Sequence, residues 1–386
     1  MEGKIRVAVF GQKRVPSREG GVEIVVWELV TRMAAMGHKV TCINRRGHHV
    51  SGVQYDNNKI NKLDGPKKCN NIIEGVEITS VQTIDKKGLA ATSAAFFAAV
   101  KAAFGRYDVV HIHAEGPAAF CYIPKMFGKK VVVTCHGLDW ARPKWKNSFG
   151  GKFIKYGERM AVKHADSIIV LSKGVKDYFK KTYNRDTEFI PNGVNRPQIV
   201  EPNEITDRWG ITKDSYILTV ARLTDEKKID LLIDAYKKIA TDKKLVIAGG
   251  SSDSNEYVEK LHKMAADDDR IIFTDFVQGR VLEELYSNAY IYVLPSELEG
   301  MPLSLLEAMS YGNCCLTSDI AECVDVVGNN AVSFKKNDIE DLTDKLKGLC
   351  DRSDMVEALK TKAADYICNR YNWNDVARET IKIYKS

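Results

Sequence analysis

The chain has 386 residues, of which 44% are apolar and 28% charged, a balance typical of soluble globular proteins. Because single hydrophobic cores stop growing at about 250–300 residues, the length predicts two domains. No apolar run reaches the ~20 residues that a membrane-spanning helix needs. The N-terminal MEGKIRVAVF enters a strand-like run almost at once, so we expect a cytoplasmic protein without a signal peptide.

The charge is distributed unevenly along the chain. Residues 1–195 hold 32 Lys and Arg against 17 Asp and Glu, a net charge of +15, whereas residues 196–386 hold 25 against 34, a net charge of −9. A basic half can face nucleic acid, an anionic membrane surface or a phosphorylated ligand. Because no helix-turn-helix, zinc-finger or RNP pattern is present, we expect no nucleic-acid partner and favour a membrane or lipid-phosphate surface.

Short β-branched runs alternate with helical patterns in the first half of the chain. The runs read IRVAVF, HKVTCI, VEITSV, DVVHIH, KVVVTC and SIIVLS. Continuous apolar runs of this length predict parallel strands covered on both faces. Between them, GVEIVVWELVTRMAAMG and GGKFIKYGERMAVKHA have helical patterns, and the alanine-rich LAATSAAFFAAV predicts a buried helix. The polar segment from Ser51 to Gly75, an excursion from this alternation, shows no clear helix or strand pattern.

The same β-α-β rhythm restarts in the second half with YILTVA, KLVIAG, RIIFTD, AYIYVLP and NCCLTS. The Pro- and Asn-rich segment 190–205 separates the two series and predicts a hinge. We therefore predict two doubly wound α/β domains in tandem, residues 1–195 and 196–370. Ligands of such sheets bind outside the carboxyl ends of the strands, so two domains that face each other would hold the active site in a cleft.

A glycine pair follows the first strand. Gly20 and Gly21 lead into a helix, and glycines at a helix start let backbone N–H groups approach a phosphate closely. The spacing differs from the G-x-G-x-x-G of dinucleotide sites, and a flexible turn is the alternative interpretation. We keep both glycines as candidate donor-binding residues.

Polar side chains follow two further strands of the first domain. His136 and Asp139 come after KVVVTC, within HGLDW, although a lone histidine is more often structural than catalytic. Glu115 lies at the end of another strand, in HIHAEG, as a candidate acceptor contact. The H-x-H pair in that stretch has no third ligand at a fixed spacing, so we predict no metal site.

The second domain carries cations where a helix begins. ARLTDEKK places Arg222 just past a strand and both Lys227 and Lys228 at the start of the next helix. Positive charge at a helix start opposes the helix dipole, so local stability does not explain these lysines, whereas a bound diphosphate would. A solvated charged turn is the alternative.

Two other strand ends of the second domain offer backbone and apolar contacts. IAGGSS leaves a strand through a glycine pair, of which Gly250 allows close approach of a ligand. FTDFVQG follows the next strand and offers Phe276 and Val277 as an apolar wall for a base.

The stretch PSELEGMPLSLLEAMSYG, residues 295–312, places two glutamates around a helix start. Pro302 suits the first helical position, so the helix would begin there, with Glu299 before it and Glu307 inside it. Carboxylates accept hydrogen bonds from vicinal hydroxyls, which predicts a sugar at one glutamate and a ribose at the other. A surface cap is the alternative. The backbone at the helix start would serve the phosphates between them, through Gly300, Met301, Leu303 and Ser304.

These motifs carry a family resemblance over nearly the whole chain. The two glutamates separated by seven residues resemble the E-x7-E motif of retaining glycosyltransferases of family 4, and ARLTDEKK resembles the Arg/Lys pair of that family, matching Arg222 and Lys228. The N-terminal VFGQKRVPSREGGVEIVVWELVTRM is similar to a subgroup that contains rhamnosyl- and other sugar transferases of bacterial capsule and cell-wall polysaccharide assembly. The resemblance implies the GT-B fold, with two Rossmann-like domains and a C-terminal helix, residues 371–386, that crosses back to the first domain.

The resemblance also implies an activity. It is the retaining, metal-independent transfer of a sugar from a UDP- or dTDP-linked donor, for example of rhamnose, glucose, galactose or N-acetylhexosamine. The acceptor would be a glycan or a polyprenyl-diphosphate-linked sugar in bacterial surface polysaccharide synthesis, and no cofactor is expected. The basic first domain would suit a lipid-diphosphate acceptor at the inner face of the plasma membrane, with charge-driven peripheral association as a hypothesis.

The resemblance implies a role for each matched residue. Glu299 would hold hydroxyls of the donor sugar and Glu307 the ribose. Arg222 and Lys228 would neutralise the departing diphosphate with help from the amides of the glycine pair, and His136 would line the donor sugar.

Two rival functions fit the same architecture. A GT-B sugar-nucleotide epimerase would bind the same donor and need no acceptor. A non-catalytic protein that binds nucleotide sugars or glycans would tolerate loss of Arg222 or Lys228.

Overall fold

The computed structural model describes residues 3–46, 71–84, 86, 89–146, 148–250 and 255–386. Most of the polar excursion from Ser51 to Gly75 lies outside these residues. The chain forms two compact units, the first made of Met1–Asn192 with Trp373–Ser386 and the second of Gly193–Asn372. We describe each unit by itself. No helix among the described residues is long and apolar enough to cross a membrane.

The first unit is built on a sheet to which the described residues contribute eight strands in the order β3-β4-β2-β1-β5-β6-β7-β8. The strands are β1 (Arg6–Phe10), β2 (Lys39–Arg45), β3 (Ile72–Ile73), β4 (Val76–Val81), β5 (Val109–His113), β6 (Lys130–Cys135), β7 (Ser167–Val170) and β8 (Glu188–Phe189). Neighbouring strands are parallel except for the short β3, which runs antiparallel to β4. The central β1 pairs with β2 on one side and β5 on the other, which defines the switch point of a doubly wound sheet.

Helices connect these strands. They are α1 (Gly21–Ala35), α2 (Ala90–Phe104), α3 (Glu115–Ala118), α4 (Tyr122–Met126), α5 (Phe149–His164), α6 (Lys173–Tyr183) and the C-terminal helix of the chain (Trp373–Lys385), with 3₁₀ turns at Asp139–Ala141 and Pro143–Trp145. The C-terminal helix packs against α1. The helix predicted from LAATSAAFFAAV is present as α2 and buries its alanines, including Ala98 and Ala102. It is not buried all round, because its phenylalanines reach solvent.

The second unit has a sheet of six described strands, all parallel, in the order β11-β10-β9-β12-β13-β14. The strands are β9 (Tyr216–Val220), β10 (Lys244–Ala248), β11 (Ile271–Phe273), β12 (Ile291–Leu294), β13 (Cys314–Ser318) and β14 (Val332–Phe334). The helices are α7 (Glu204–Trp209), α8 (Ile229–Lys237), α9 (Asn255–Ala265), α10 (Arg280–Asn288), α11 (Leu303–Ser310), α12 (Ala321–Val327), α13 (Ile339–Asp351) and α14 (Ser353–Arg370), with a 3₁₀ turn at Asp225–Lys227. In chain order the C-terminal helix of the first unit is then α15.

The predicted fold class is confirmed. Each apolar run read as a strand forms one, and each sheet is flanked by helices and parallel apart from the short β3. Because both faces of a parallel sheet are covered, the strand side chains are buried on both sides, as the continuous apolar runs indicated. The carboxyl ends of β9, β10, β11 and β12 meet at one edge of the second sheet, and this edge carries most of the predicted donor residues.

Candidate functional site

The carboxyl ends of β9, β10 and β11 are joined by backbone hydrogen bonds. Leu223 N–H donates to Gly250 O at 3.1 Å, and Gly249 N–H donates to Asp275 O at 2.9 Å. Gly249 has φ +150°, and a Cβ placed there would lie 1.7 Å from the carbonyl oxygen of Ala221. Only glycine therefore allows these two loops to approach so closely.

The structure brings Gly250 and Phe276 together at this edge. A Cβ on Gly250 would lie 3.5 Å from Cβ of Phe276, which is an ordinary contact distance. The Phe276 ring is 41% exposed although it is large and apolar, and Val277 beside it is half-buried. An open aromatic ring beside glycine backbone can stack on a planar ligand.

Two lysines next to β9 pair with two different glutamates of the loop after β12. Lys227 Nζ lies 2.5 Å from Glu299 Oε1, and both side chains are largely buried, at 15% and 9% exposed. Lys228 Nζ lies 3.4 Å from Glu297 Oε2 in a more exposed pair. Arg222 is exposed at the same strand end.

Lys227 is a candidate site residue to which no individual role was assigned from the sequence. The sequence pattern contains both lysines, and the family resemblance matched Lys228, not Lys227, to the diphosphate. In the structure Lys228 has φ +52° and is the first residue before α8, a left-handed position that favours glycine. Side-chain contact with Glu299 comes instead from Lys227. Two adjacent lysines in a sequence do not reveal which one continues the 3₁₀ turn and which one takes the left-handed conformation.

Helix α11 begins one residue later than expected. Pro302 is its N-cap, in extended conformation, and no side chain caps the helix start. The uncapped N–H groups of the first turn, which include those of Leu303 and Ser304, combine with the helix dipole to favour an anion. Gly300 and the buried Met301 precede this start.

Glu307 lies half-buried on α11 and is held by a tyrosine. Tyr286 Oη donates to Glu307 Oε2 at 3.3 Å, and the Tyr286 ring stacks on Tyr311 with ring centroids 5.3 Å apart. Burial, followed by the negative charge of Glu307, raises the pKa of Tyr286 well above its ordinary value. Tyr286 is therefore a neutral hydrogen-bond donor that orients the carboxylate of Glu307.

Two hydroxyl groups at this edge lack partners. Ser296 Oγ and Thr224 Oγ1 are buried and have no hydrogen-bond partner among the described residues. Ser296 follows β12 and Thr224 follows β9, the two central strands of the sheet. Because an unsatisfied buried hydroxyl costs about 1–3 kcal/mol, such groups point to a bound ligand or water that completes the site.

In the first unit the predicted glycine pair lies at the start of α1, with Gly20 as the N-cap in extended conformation and no side-chain cap. Glu23 lies close by, because a Cβ on Gly20 would be 2.4 Å from Glu23 Oε2. Glu23 Oε1 accepts the N–H of Lys13 at 2.7 Å. An acidic side chain in the first turn already uses part of the helix dipole. A phosphate role for Gly20 and Gly21 stays a prediction.

Three histidines, the buried His111 and His113 of β5 and the half-buried His136 after β6, form a row. His113 Nδ1 and His136 Nε2 share a hydrogen bond at 3.0 Å, and the ring nitrogens of His111 contact Tyr384 Oη at 2.6 Å and Thr134 Oγ1 at 2.7 Å. Burial lowers the pKa of His111 to about 3 and that of His136 to about 4. Burial also lowers the pKa of His113, so all three rings are neutral at pH 7. His136 is half-buried, and its predicted contact with a donor sugar remains a prediction.

Glu115 is fully buried, which is not the position expected for a side chain that contacts an acceptor. Its Oε2 accepts the backbone N–H of Asp139 at 2.9 Å, so it holds the loop that follows β6. Asp139 itself is half-buried and forms an ion pair with Arg142. Of the two predicted acceptor residues, only Asp139 has a side chain that reaches the surface.

A second buried carboxylate, Glu158 on α5, was not singled out from the sequence. Its partners are all donors from the surrounding loop and helices. They are Trp140 Nε1 at 2.7 Å, Lys155 Nζ at 2.8 Å, Tyr178 Oη at 2.8 Å and Tyr183 Oη. A periodic helix pattern gives no sign of this role, because a lone glutamate in GGKFIKYGERMAVKHA has the appearance of a solvated charge.

The two buried carboxyl groups differ in protonation. Burial, followed by the charges of Asp139 and Glu158, raises the pKa of Glu115 well above its ordinary value. Burial alone would also raise the pKa of Glu158, but hydrogen bonds from Lys155, Tyr183 and the other donors lower it below its ordinary value. The raised pKa favours the protonated form of Glu115 beside Glu158, and Glu115 Oε1 has no hydrogen-bond partner among the described residues.

In the part of the chain that the structure describes, no group of three or more His, Cys, Asp or Glu side chains could hold a metal ion. The candidate donor edge is instead lined by Arg222, Lys227 and Lys228.

Two parallel-sheet α/β units, each with polar residues at its strand ends, are the architecture of the GT-B fold. Comparison with known families agrees. Residues 203–366 match the family model of glycosyl transferases group 1, and residues 19–197 match that of glycosyltransferase family 4. The chain is thus a GT-B glycosyltransferase of the family 4 type and a hexosyltransferase, which confirms the predicted enzyme class.

Known relatives are similar over most of the chain. An uncharacterized glycosyltransferase of Methanocaldococcus jannaschii, MJ1607, is 28% identical over 72% of this chain and 75% of its own length. The O-antigen chain mannosyltransferase RfbU of Salmonella typhimurium is 28% identical over 61% of this chain and 65% of its own length. The crystal structure of Anabaena Alr3699/HepE in complex with UDP and glucose superposes with a TM-score of 0.77, at 13% identity, over 98% of each chain. At 13% identity, the similarity to the Anabaena protein shows the fold alone.

Proposed function

We propose that the chain transfers a sugar from a nucleotide diphosphate sugar, bound at the strand ends of the second unit, to a glycan or lipid-linked acceptor in the synthesis of a surface polysaccharide. The observation that carries the proposal is the pairing of Lys227 with Glu299 beside the uncapped start of α11. This arrangement places a cation, a carboxylate and free amide donors at one edge, which suits a molecule that combines phosphates with hydroxyl groups.

Each group at the strand ends of the second unit then has a specific role in binding the donor. Lys227 and the exposed Arg222 attract the diphosphate, and the first-turn amides of α11 donate to its oxygens. Glu299 accepts hydrogen bonds from the sugar hydroxyls, and Glu307, oriented by its tyrosine, accepts from the ribose. The exposed ring of Phe276 stacks on the base.

Catalysis would come mainly from stabilising the leaving group. As the bond between the sugar and the diphosphate breaks, negative charge develops on the phosphate oxygens, and fixed cations stabilise it without a metal. Loss of one such donor typically lowers the rate about 10²–10³-fold. The buried pairing of Lys227 supports its role, because a lysine held by a carboxylate at 2.5 Å is pre-oriented before the donor binds. We propose retention of configuration, with the leaving phosphate helping to take the proton of the acceptor.

Two observations support the acceptor class. RfbU, one of the relatives, is named as an O-antigen chain mannosyltransferase. The first half of this chain has a net charge of +15, which suits an anionic acceptor such as a sugar linked to a polyprenyl diphosphate. Within surface polysaccharides, a capsule or rhamnosyl transfer is the specific form that we propose to test first.

The test is donor binding and transfer by a matched pair of variants. Isothermal titration of UDP- and dTDP-sugars into the wild type, with EDTA present, identifies the donor. Lys227→Ala is expected to lower turnover about 10²–10³-fold, whereas Lys228→Ala, which removes the same charge one residue later, is expected to change it far less. Equal losses in the two variants would contradict the assignment, and unchanged turnover in Lys227→Ala would refute a leaving-group role. NMR of the product anomer tests retention.

A further inference from the structure

Large apolar side chains are exposed along one side of the first unit. Phe149 on α5 is 87% exposed, Met126 at the end of α4 is 76% exposed, and Phe104 at the end of α2 is 72% exposed. Single exposed apolar residues are common on proteins, but a contiguous group marks an interaction surface. The question is therefore whether these residues form one surface.

Ring contacts link aromatic side chains of the three helices in two groups. In the first group, Phe96 on α2 contacts Phe120, which lies between α3 and α4, with ring centroids 5.6 Å apart. Phe120 contacts Phe153 on α5 at 6.2 Å, and Phe153 contacts Tyr156 at 6.5 Å. In the second group, Phe104 at the end of α2 contacts Phe127 just after α4, with ring centroids 4.6 Å apart. Helix α2 thus belongs to both groups, one of which extends to α5 and the other to the end of α4.

Helix α5 has one solvent face that mixes aromatic and basic residues. Phe149, Lys152, Tyr156, Arg159 and Lys163 follow one another at intervals of three or four residues, so they lie on one side of the helix. All five are exposed. The opposite side is buried against the unit and includes Ile154 and Ala161.

The charge of this surface has one sign. Helices α2 and α4 contain no acidic residue, and the one acid of α5, Glu158, is fully buried. Lys101 on α2 is exposed, but its Nζ donates to Thr79 Oγ1 and Ser80 O, and Lys125 on α4 is paired with Asp166, so both add less than the three cations on α5. Cations therefore lie beside the aromatic side chains of α5, with no exposed acid on these three helices to oppose them.

We propose that this surface, hereafter the aromatic-basic face, docks on an anionic lipid bilayer. It comprises Phe96, Phe104, Met126, Phe149 and Tyr156 with Lys101, Lys152, Arg159 and Lys163. Phenylalanine and methionine side chains enter the boundary between headgroups and acyl chains, tyrosine lies at the headgroup level, and the cations contact anionic headgroups. Both features are needed, because surface charge alone gives an attraction that salt screens and aromatic burial alone gives weak binding.

The inference extends the proposed function, since a bilayer is where a lipid-linked acceptor resides. The two can nevertheless fail separately. If the chain binds lipid but no nucleotide sugar, the proposed function is refuted and the membrane role of the surface stands. If the chain binds its donor but not lipid, only the membrane role of the surface is refuted.

The experiment compares vesicle binding by four full-length proteins. Partition is measured by co-sedimentation with vesicles of phosphatidylglycerol and phosphatidylcholine, 1:1, and with phosphatidylcholine alone. The proteins are the wild type, a cation variant (Lys152→Gln, Arg159→Gln, Lys163→Gln), an apolar variant (Phe104→Ser, Met126→Ser, Phe149→Ser), and a control (Lys345→Gln, Lys347→Gln, Lys362→Gln). The control removes three exposed charges from the second unit. All the replaced side chains are exposed, so little stability is lost.

We expect the wild type to bind anionic vesicles and to bind phosphatidylcholine vesicles far less. Each cation near an anionic surface changes partition about five-fold, so the cation variant loses about 100-fold. The apolar variant is expected to lose about 10-fold or more, and the control to stay within about two-fold of the wild type. Donor titration is expected to give the same affinity in all four proteins.

Three results would overturn the proposal. The wild type could fail to bind anionic vesicles, or the control could lose as much partition as the cation variant, which would mean that net charge and not this face is responsible. Alternatively, analytical ultracentrifugation could show that the wild type dimerises and that the apolar variant is monomeric with unchanged lipid binding. The face would then be covered by a second copy of the chain.

Discussion

The buried carboxyl pair of the first unit makes the sharpest prediction. Glu158 accepts four hydrogen bonds, which lower its pKa and favour its ionised form, whereas burial raises the pKa of Glu115 next to it and favours the protonated form. The substitution Glu→Gln keeps the shape of the side chain and removes only the ability to carry a negative charge. It therefore has opposite consequences at two neighbouring glutamates.

The size of the difference follows from the contacts of Glu158. In Glu158→Gln, Lys155 loses the anion at 2.8 Å although its side chain is only 25% exposed. Two tyrosine hydroxyls and the Trp140 indole also face a weaker acceptor. Breaking a buried ion pair costs about 3–5 kcal/mol, and the partial exposure of the lysine favours the lower end. In Glu115→Gln the amide replaces a carboxyl whose raised pKa favours the neutral form, so no buried charge is lost and we expect no destabilisation at pH 7.

The assay is thermal and urea unfolding of the full chain at pH 7. For a unit of this size, 1 kcal/mol corresponds to about 2–4 °C, so Glu158→Gln is expected to lower the midpoint of the first unit by about 6–12 °C. Glu115→Gln is expected to unfold at the wild-type midpoint or above it. Equal losses in the two variants, or a larger loss in Glu115→Gln, would refute the assigned protonation states.

The pH dependence gives an independent check of the same pair. Because the pKa of Glu115 is raised in the folded state, the folded chain keeps a proton that the unfolded chain releases above its ordinary pKa of about 4.5. The stability due to this group is therefore present at low pH and is lost as the pH rises from about 4.5 towards the folded value. The amide of Glu115→Gln does not titrate, so the unfolding free energy of the wild type is expected to fall relative to that of the variant as the pH is raised. Parallel pH profiles for the two proteins would contradict this.

Three further predictions concern the two units. Lys227→Ala is expected to weaken turnover about 10²–10³-fold with Lys228→Ala as the matched control, measured as transfer from the donor that titration identifies. Burial lowers the folded pKa of His111 to about 3 from an ordinary 6.5, so neutral His111 contributes unfolding free energy that is lost as the pH falls below 6.5, about 2–3 kcal/mol of it by pH 4.5. A His111→Asn variant whose unfolding free energy fell equally steeply with acid would exclude His111 as the cause. Gly249→Ala, with its Cβ 1.7 Å from a backbone oxygen, is expected to destabilise the second unit by more than about 2 kcal/mol in urea unfolding. In the control Gly348→Ala the new Cβ meets no atom within 4 Å, so the unfolding free energy should be unchanged or higher.

The sequence was informative about the fold because parallel sheets leave a strong local signal. The strands β1, β5, β9 and β12 are runs of adjacent apolar residues, and both faces of each are buried. The short edge strands were not predicted, since two or three residues such as Ile72–Ile73 carry no period. Helix α2 was expected to be buried, but its alanine content concealed a solvent face with Phe104 on it.

The site was predictable only where a residue type and its position at a strand end coincide. Glu299 and the glycines after β10 were chosen as candidates in this way, and the structure brings Phe276 next to Gly250. The choice between Lys227 and Lys228 depends on a single left-handed backbone conformation that the sequence does not reveal. The burial of Glu115 and its pairing with Glu158 depend on packing between elements that are far apart in the chain.

The central claim is that the strand ends of the second unit bind a nucleotide diphosphate sugar through Lys227 and the start of α11. The most direct measurement is the thermal shift of the wild type and of Lys227→Ala with a panel of UDP- and dTDP-sugars in the presence of EDTA. A ligand at 100 times its dissociation constant stabilises the folded state by about 2.7 kcal/mol. The account predicts a clear rise of the midpoint with one or two nucleotide sugars in the wild type and little or none in Lys227→Ala. No rise with any of them, or an equal rise in both proteins, would contradict it.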